Sequence, residues 1–430
     1  MKSVLGIDIG TSGCRACVLD TRGRVLARAA ARLPAPLRNG PQVEQDSRHW
    51  WMAVENVLAQ LRERVTLREV MSIAVDATSS TLLLCTAKGS PLGPALMYND
   101  TRAVNEARRI AAVAPAESGA HGPSSSLAKL MVLLKGRNAK RACHALHQAD
   151  WVLGTLTGRY GLSDENNALK LGFDPVGRCW PDWLQSLGIE SALLPTVLPP
   201  GTDAGTIEPS LAEKWQFSTG TRIIAGTTDS TAAIIATDAH PGEAVTSLGS
   251  TMVLKVLSTR PVFAPQYGIY SHRLGDHWLT GGASNTGGAV LLQYFSTGEL
   301  DELTQQLDPR CATGLDYYPL PARGERFPVN DPELEPRLHP RPAERSVFLQ
   351  AILEGMAGIE LRGYRLLESL GAPYPEAVYT MGGGAANPAW SEIRKQRLGI
   401  PLLRPAYPDA ACGSARLALK GIREDRGPKS

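Results

Sequence analysis

Leu5-Gly6-Ile7-Asp8-Ile9-Gly10-Thr11-Ser12-Gly13, continued by Cys14 to Leu19, reads as an apolar strand, a tight turn and a second apolar strand. The turn is rich in glycine and hydroxyl groups. Ala244-Val245-Thr246-Ser247-Leu248-Gly249-Ser250-Thr251, continued by Met252 to Leu257, repeats the design beyond mid-chain. Glycine at such a turn permits positive φ and lets a polyanion come close to the backbone. Successive turn N–H groups and hydroxyls then form an anion-binding concavity. One hairpin of this kind says little, because most bind nothing. Two, one in each half, point to a duplicated fold with a phosphate chain clamped between the halves.

A chain of 430 residues is long for a single core. The break at Pro241-Gly242 divides it into residues 1–240 and 241–430. The 45 basic and 42 acidic residues leave a formal charge of +3 without a basic run, which argues against a nucleic-acid or membrane-surface partner. Asp8 interrupts the first apolar run, so the N-terminus lacks a signal-peptide pattern, and no apolar run is long enough for a bilayer. Seven cysteines in a chain of this size do not make a secreted disulfide framework, so a cytoplasmic location is expected. Cys14 and Cys17 have redox or zinc spacing, but they lie in a hairpin strand and no second pair completes a zinc site; they read as structural. His144 and His147 lack an obvious carboxylate partner and read as helix-surface residues.

A third strand, Arg24 to Ala30, follows the first hairpin across Asp20-Thr21-Arg22-Gly23. Asp46 is an N-cap candidate for a helix with Trp50, Val54, Val57, Leu58 and Leu61 on its apolar face. A buried strand, Ser72 to Asp76, ends in Ala77-Thr78-Ser79-Ser80, and another, Thr81 to Cys85, follows. This order predicts an α/β fold with mixed sheets. The stretch from Ser124 to Lys170 reads mostly as helices. Pro319 to Pro342 is a loop too polar and too broken to join a core. A long amphipathic helix carries Phe348, Ile352, Met356, Ile359 and Leu366, and a last helix spans 411–422.

Chemistry gathers at three further places. The strand Thr221 to Ala225 runs into Gly226-Thr227-Thr228-Asp229-Ser230. A carboxylate at a strand exit lies where α/β folds open their ligand crevice, although Asp is also a good helix N-cap. The strand Ala377 to Met381 runs into Gly382-Gly383-Gly384-Ala385-Ala386-Asn387, with Trp390 one turn later. Three glycines opening a helix remove side chains where a flat or anionic ligand could lie, or simply make a generous turn. Gly281-Gly282-Ala283-Ser284-Asn285-Thr286-Gly287-Gly288 is a third close-approach segment.

LGIDIGTSGCRACVLD, AGTTDSTAA, PGEAVTSLGST, GGASNTGG and MGGGAANPAW stand in the order and spacing of the FGGY carbohydrate kinases, and the chain resembles that family over nearly its whole length. QADWVLGTLTG, SDENNALKLGFDP and YYPLPARGERFP fit as well. The resemblance implies a two-domain actin-like ATPase (ribonuclease H-like) fold, with duplicated mixed-sheet domains, a cleft between them and the last helix packing back on the first domain. It also implies ATP and Mg²⁺ as cofactors, a small-molecule sugar as partner, and a monomer or homodimer. By that resemblance Asp8 organises the Mg²⁺, Thr11, Ser12 and Gly13 approach the transferring phosphoryl group and substrate, and Asp229 is the base. Gly249, Ser250 and Thr251 form the second phosphate loop, Gly383, Gly384, Asn387 and Trp390 hold the nucleotide, and Ser79 lines the sugar pocket.

Among members, the chain looks most like the compact plant and cyanobacterial type that phosphorylates D-ribulose, here giving the 5-phosphate. The alternatives are a D-xylulose kinase or a kinase for another sugar or polyol of the family. Many xylulokinases place a Met-His pair where this chain has Ala77-Thr78-Ser79-Ser80, which favours ribulose. The family's Lys-x-x-Trp element appears as Lys129-Leu130-Met131-Val132, without the Trp. Filament-forming and chaperone relatives of the ATPase core do not need the base Asp of AGTTDS or the sugar-side segments.

Overall fold

Every residue of Ser3–Ile9 is buried, as expected of a central strand covered on both faces. The computed structural model of the protein describes residues 1–407 and 409–424. The strand forms the predicted hairpin with Gly13–Asp20, which pairs in turn with Val25–Arg32. On its other side Ser3–Ile9 pairs in parallel with Val70–Ala77, and Val70–Ala77 with Arg222–Thr228. An antiparallel edge strand, Asp203–Thr206, completes a six-stranded sheet.

The second half builds the same order. Ala244–Leu248 and Met252–Ser258 form the hairpin, and His277–Gly281 adds to its second strand. Val378–Met381 and then Leu402–Leu403 add in parallel on the side of its first strand. The repeat that the sequence shows as two turns is thus a repeat of five strand positions. The edge strand Tyr270–Leu274 is peculiar to this half.

The chain divides into two compact units, Met1–Ala236 with the segment from Tyr407 onward, and Thr237–Ala406. The division expected at 240/241 therefore moves to 236/237, and residues beyond 406 leave the second half. The cause lies in packing. Helix Ala410–Glu424 lays Ala411, Ala415 and Ala418 against Val4, Cys17, Ala74 and Ile224 of the first sheet. Gly6 allows the approach, since a Cβ there would stand 2.0 Å from the carbonyl oxygen of Ala411. Cys14 and Cys17 are buried, as their strand position requires. Pro408, expected just before this helix, lies outside the described residues.

Asp46 caps helix Ser47–Arg62 as expected, its carboxylate accepting from the Arg48 N–H at 2.9 Å. Two expectations are corrected. His144 and His147 lie on a strand, His144–His147, of a separate five-stranded sheet, and His147 is fully buried rather than on a helix surface. The segment Pro319 to Pro342 has no helix or strand, yet Leu320, Phe327 and Leu338 enter the core of the second unit. Polar residues around them marked a surface loop in the sequence. The backbone is satisfied instead by bridges such as Tyr318 with Arg337 and Glu325 with Asp331.

A buried ionic network ties the second hairpin to its helices. Arg394 donates to Glu360 through Nε and Nη2, both at 2.7 Å, and to Thr380 at 2.8 Å. Thr246 of the hairpin donates to Glu360 at 2.5 Å and meets the Tyr364 hydroxyl at 2.7 Å. Arg394→Met leaves Glu360 buried without its counter-charge and is expected to cost about 3–5 kcal/mol. Urea unfolding checks this; Glu360→Met with Arg394→Met should recover much of the loss, and an unchanged midpoint in the single variant would refute it.

Candidate active site

In the first unit the parallel register brings three carboxylates to neighbouring strand ends. Asp8 stands opposite Asp76, and Asp76 opposite Thr227. One residue past Thr228, Asp229 opens helix Asp229–Thr237. These are C-terminal ends of parallel strands, where open α/β sheets place their ligands. Asp8 and Asp76 are buried and Asp229 is half-buried. Asp229 takes the N–H of Ser230 at 2.6 Å, so it also does part of a cap's work.

The electrostatics follow from that crowding. Burial raises the Asp8 carboxyl above its usual range, while Asp76 and Arg15 pull it down. Burial first, and the Asp8 charge next, hold Asp76 well above the carboxylate range. Asp229 is raised to about 6, again mainly by burial, with Asp8 adding to the shift. Arg15, cross-strand from Asp8, reaches it at 3.3 Å but is largely in solvent, so it neutralises little. Ser414 donates to Asp76 at 2.5 Å. The other Asp76 oxygen receives no hydrogen bond from any donor among the described residues. A proton held against Asp8, or a cation, satisfies it.

Sequence reasoning took Asp76 only as a strand end. The signal was present, since a carboxylate closing an otherwise apolar buried strand has no structural reason to be there. Ser414 had no such signal; only the return of the last helix brings it in.

The turn between the hairpin strands is closed by the Gly10 N–H to the Gly13 carbonyl at 2.9 Å. Gly13 begins the second strand, pairing with Arg32. Thr11 is half-exposed, Ser12 is exposed, and neither hydroxyl has a partner among the described residues.

Ser79 follows Val70–Ala77 on the same edge and is half-buried. Its neighbours are not available to a ligand. The Thr78 hydroxyl is held by Thr81 and Gln148, both at 2.6 Å. Ser80, at φ 70°, donates to the Ser124 carbonyl at 2.7 Å. A buried chain stands behind it: Asp150 to His147 at 2.9 Å, His147 to Ser126 at 2.9 Å, and Ser126 to Ser80 at 3.2 Å. Lys129 donates to the carbonyls of Ser80, Ser124 and Tyr98, and burial lowers its pKa to about 7. The hydroxyl-rich wall read from Thr78-Ser79-Ser80 is therefore one free hydroxyl on a rigidly backed turn.

The second unit presents its own loop. Gly249 and Ser250 are exposed, Thr251 is half-exposed, and the side chains of Ser250 and Thr251 have no partner among the described residues. The glycine-rich segment after His277–Gly281 braces this loop, with Gly288 and Ala289 donating to the carbonyls of Gly249 and Ser250 at 2.8 and 3.2 Å. Glu325, from the supposed surface loop, secures that segment by accepting from Ser284 and Asn285.

The three glycines divide into two kinds. A Cβ at Gly382 would stand 2.5 Å from the Leu248 carbonyl oxygen, and one at Gly384 2.5 Å from the Trp390 ring. Only at Gly383 is the space open. Asn387 caps helix Pro388–Leu398 through Trp390 N–H at 2.9 Å and donates to Thr304 at 2.9 Å. Trp390 is buried beneath the turn. Asn387 and Trp390 therefore shape this turn from behind.

Two family models match the chain: the N-terminal domain of the FGGY carbohydrate kinases over residues 3–236 and their C-terminal domain over residues 244–421. The chain belongs to the FGGY family of carbohydrate kinases. Similar relatives include the xylulose kinase of Streptomyces coelicolor, 30% identical over 97% of this chain and 88% of that protein, and the xylulose kinase of Escherichia coli, 24% identical over 96% and 89%. A glycerol kinase from Alkalilimnicola ehrlichii is 27% identical over 98% and 90%. The fold is that of a solved Brucella ovis "xyloylose kinase", with a TM-score of 0.89 at 24% identity, covering 98% of this FGGY chain and 91% of the other. The protein is thus an enzyme, a carbohydrate kinase of two actin-like units. No helix among its described residues is long and apolar enough to cross a membrane.

The split among the glycines yields a paired expectation. Gly383→Val keeps the melting temperature and weakens ATP binding, because its branched group enters open space. Gly384→Val instead lowers the melting temperature through overpacking, by about 1–3 kcal/mol of stability or more. Calorimetric titration of ATP beside thermal unfolding checks both, and undiminished ATP binding in Gly383→Val would place the nucleotide elsewhere.

Proposed function

We propose that this FGGY kinase transfers the terminal phosphoryl group of ATP to the 5-hydroxyl of a ketopentose, with D-xylulose as the favoured acceptor. The observation that carries the reaction is the carboxylate at the exit of Arg222–Thr228, Asp229, raised to about 6 beside the buried pair Asp8 and Asp76. A base must be ionised yet basic enough to take a hydroxyl proton near neutrality, and this placement meets both needs.

In this reading the sugar rests against Ser79, and Asp229 accepts the proton of the attacking hydroxyl. Thr11 and Ser12 direct their hydroxyls and turn N–H groups at phosphoryl oxygens, and within the second unit Ser250 and Thr251 offer groups of the same kind. Asp8 fits a divalent cation. It lies next to a second carboxylate, Asp76, whose free oxygen lacks a donor, and its one basic neighbour is solvated. Bound Mg²⁺, which commonly takes one or two carboxylates with phosphates and waters, would neutralise charge on the phosphate chain. Phosphoryl transfer asks little covalent work of the protein, so positioning and charge neutralisation dominate.

The acceptor follows from two considerations. Relatives alike over nearly the whole chain are named xylulose kinases. The preference for D-ribulose rests partly on resemblance to the compact ribulose-phosphorylating members and partly on Thr78-Ser79-Ser80, and two of those three hydroxyls are turned inward to protein partners. Xylulose and ribulose differ in the configuration of one hydroxyl, so hydrogen bonds must make the distinction, and Ser79 supplies one free hydroxyl for it.

Asp229→Ala is expected to reduce turnover by roughly 10²–10⁴ while ATP still binds. Near-normal turnover would leave Asp229 as a helix cap alone. Asp8→Asn should raise the Mg²⁺ concentration needed for half-maximal rate, with sugar affinity little altered; an unshifted metal titration removes that role. An ADP-release assay comparing kcat/KM for D-xylulose, D-ribulose and glycerol tests the acceptor. A clear preference for either of the latter two would overturn xylulose and leave the kinase intact.

A further inference from the structure

The second unit contains a cavity of about 400 Å³ away from its phosphate loop, formed where helices Arg345–Ser369 and Pro388–Leu398 meet the segment 309–317. Its size lies in the range of small-molecule sites. Three arginines line it: Arg310 from the segment, Arg362 from the first helix and Arg397 from the second. Among the described residues none of the three pairs with a carboxylate.

Two acidic residues also line the cavity: Glu354 keeps its charge but turns its oxygens to neutral donors, and Asp316 is ion-paired. Glu354 accepts the Thr313 hydroxyl at 2.6 Å, the Thr313 N–H at 3.1 Å and Gln350 at 3.0 Å. Asp316 pairs with Arg337 at 2.6 Å. Arg362 lies over the Tyr318 ring, its guanidinium carbon 4.9 Å from the centroid. Stacking of that kind fixes the plane of the fork and leaves its N–H edge for an acceptor in the plane. Gly358 keeps the wall open, as the nearest atom to a Cβ there is Arg397 Nη2 at 3.8 Å. The result is a concave site with unneutralised, partly oriented guanidinium groups on three different segments.

We propose that this cavity binds a small phosphorylated anion, a second phosphate-ester site on the kinase separate from the loop that meets ATP. All three arginines are exposed, and their planar forks match phosphate oxygens in a way that a point charge does not. The cavity also bears on catalysis by position. Arg362 lies on the helix that carries Glu360 and Tyr364, and Arg397 on the helix that carries Arg394, so a ligand held there would join the two helices whose network anchors Thr246 of the phosphate hairpin. The inference does not depend on which sugar the enzyme uses.

Inorganic pyrophosphate is the probe, titrated calorimetrically into the full chain. The wild type should show saturable binding that Gly383→Val retains. Arg310→Ser with Arg362→Ser and Arg397→Ser should weaken it about tenfold or more, the scale of losing charge-assisted hydrogen bonds. Gly358→Leu keeps every charge and fills the cavity, and should weaken binding as strongly. Arg397→Ser alone, at an exposed position, gives a partial loss and guards against misfolding of the triple variant. No binding by the wild type, equal binding by the triple variant, retained binding in Gly358→Leu, or loss in Gly383→Val would each overturn the proposal.

Discussion

Asp8 and Asp76 stand side by side because two parallel strands pair in one register and no other. A slip of either strand by one residue would turn its carboxylate to the opposite face and put an apolar side chain in its place. Gly6 forbids that slip in Ser3–Ile9, because a side chain in its place would meet the backbone of Ala411 and Ala415. The close packing of the last helix thus fixes the polar geometry of the site. Two buried carboxylates at this range cannot both ionise without a counter-charge. Among the described residues the fold offers the pair only a serine and a solvated arginine, and that shortage of counter-charge is what the proposed cation would relieve. Asp229, one strand further on, inherits a raised pKa from the same surroundings.

The duplicated hairpin meets its demands differently in each unit. In the first, the turn is short and closes on itself. In the second, Ser250 and its neighbours are propped by a glycine-rich segment, which is held by Glu325, which in turn comes from a segment without regular structure. Support is therefore layered, and the outermost layer is the one that sequence reading dismissed. Behind the sugar-side turn the chain from Asp150 through His147 and Ser126 to Ser80 plays a similar part. It holds a residue at positive φ where a small shift would move Ser79.

Much of this was legible in the residues. The two hairpins, the helix cap at Asp46 and the strand leading to Asp229 could be read because each depends on local patterning: alternation, turn chemistry, capping. Three features escaped for one reason, namely that distant segments decide them. Asp76 became part of a carboxylate cluster only through register with Asp8. His147 looked like a surface residue because its partners, Asp150 and Ser126, become partners only when a strand and two helices assemble. The buried core of Pro319 to Pro342 rests on bridges that no periodicity announces. How many hydroxyls of Thr78-Ser79-Ser80 a ligand can meet likewise depends on distant partners, Gln148 and Ser124.

The return of helix Ala410–Glu424 to the first unit has a consequence for how the chain is made. Val4, Cys17, Ala74 and Ile224 form an apolar sheet face whose cover is synthesised only after the whole second unit. During translation at about 5–20 residues per second, the second unit is complete in sequence before the first can close. The first unit therefore spends its early life as an open sheet with a hydrophobic side exposed, vulnerable to association with other nascent chains. Its core is finished only after the second unit has emerged.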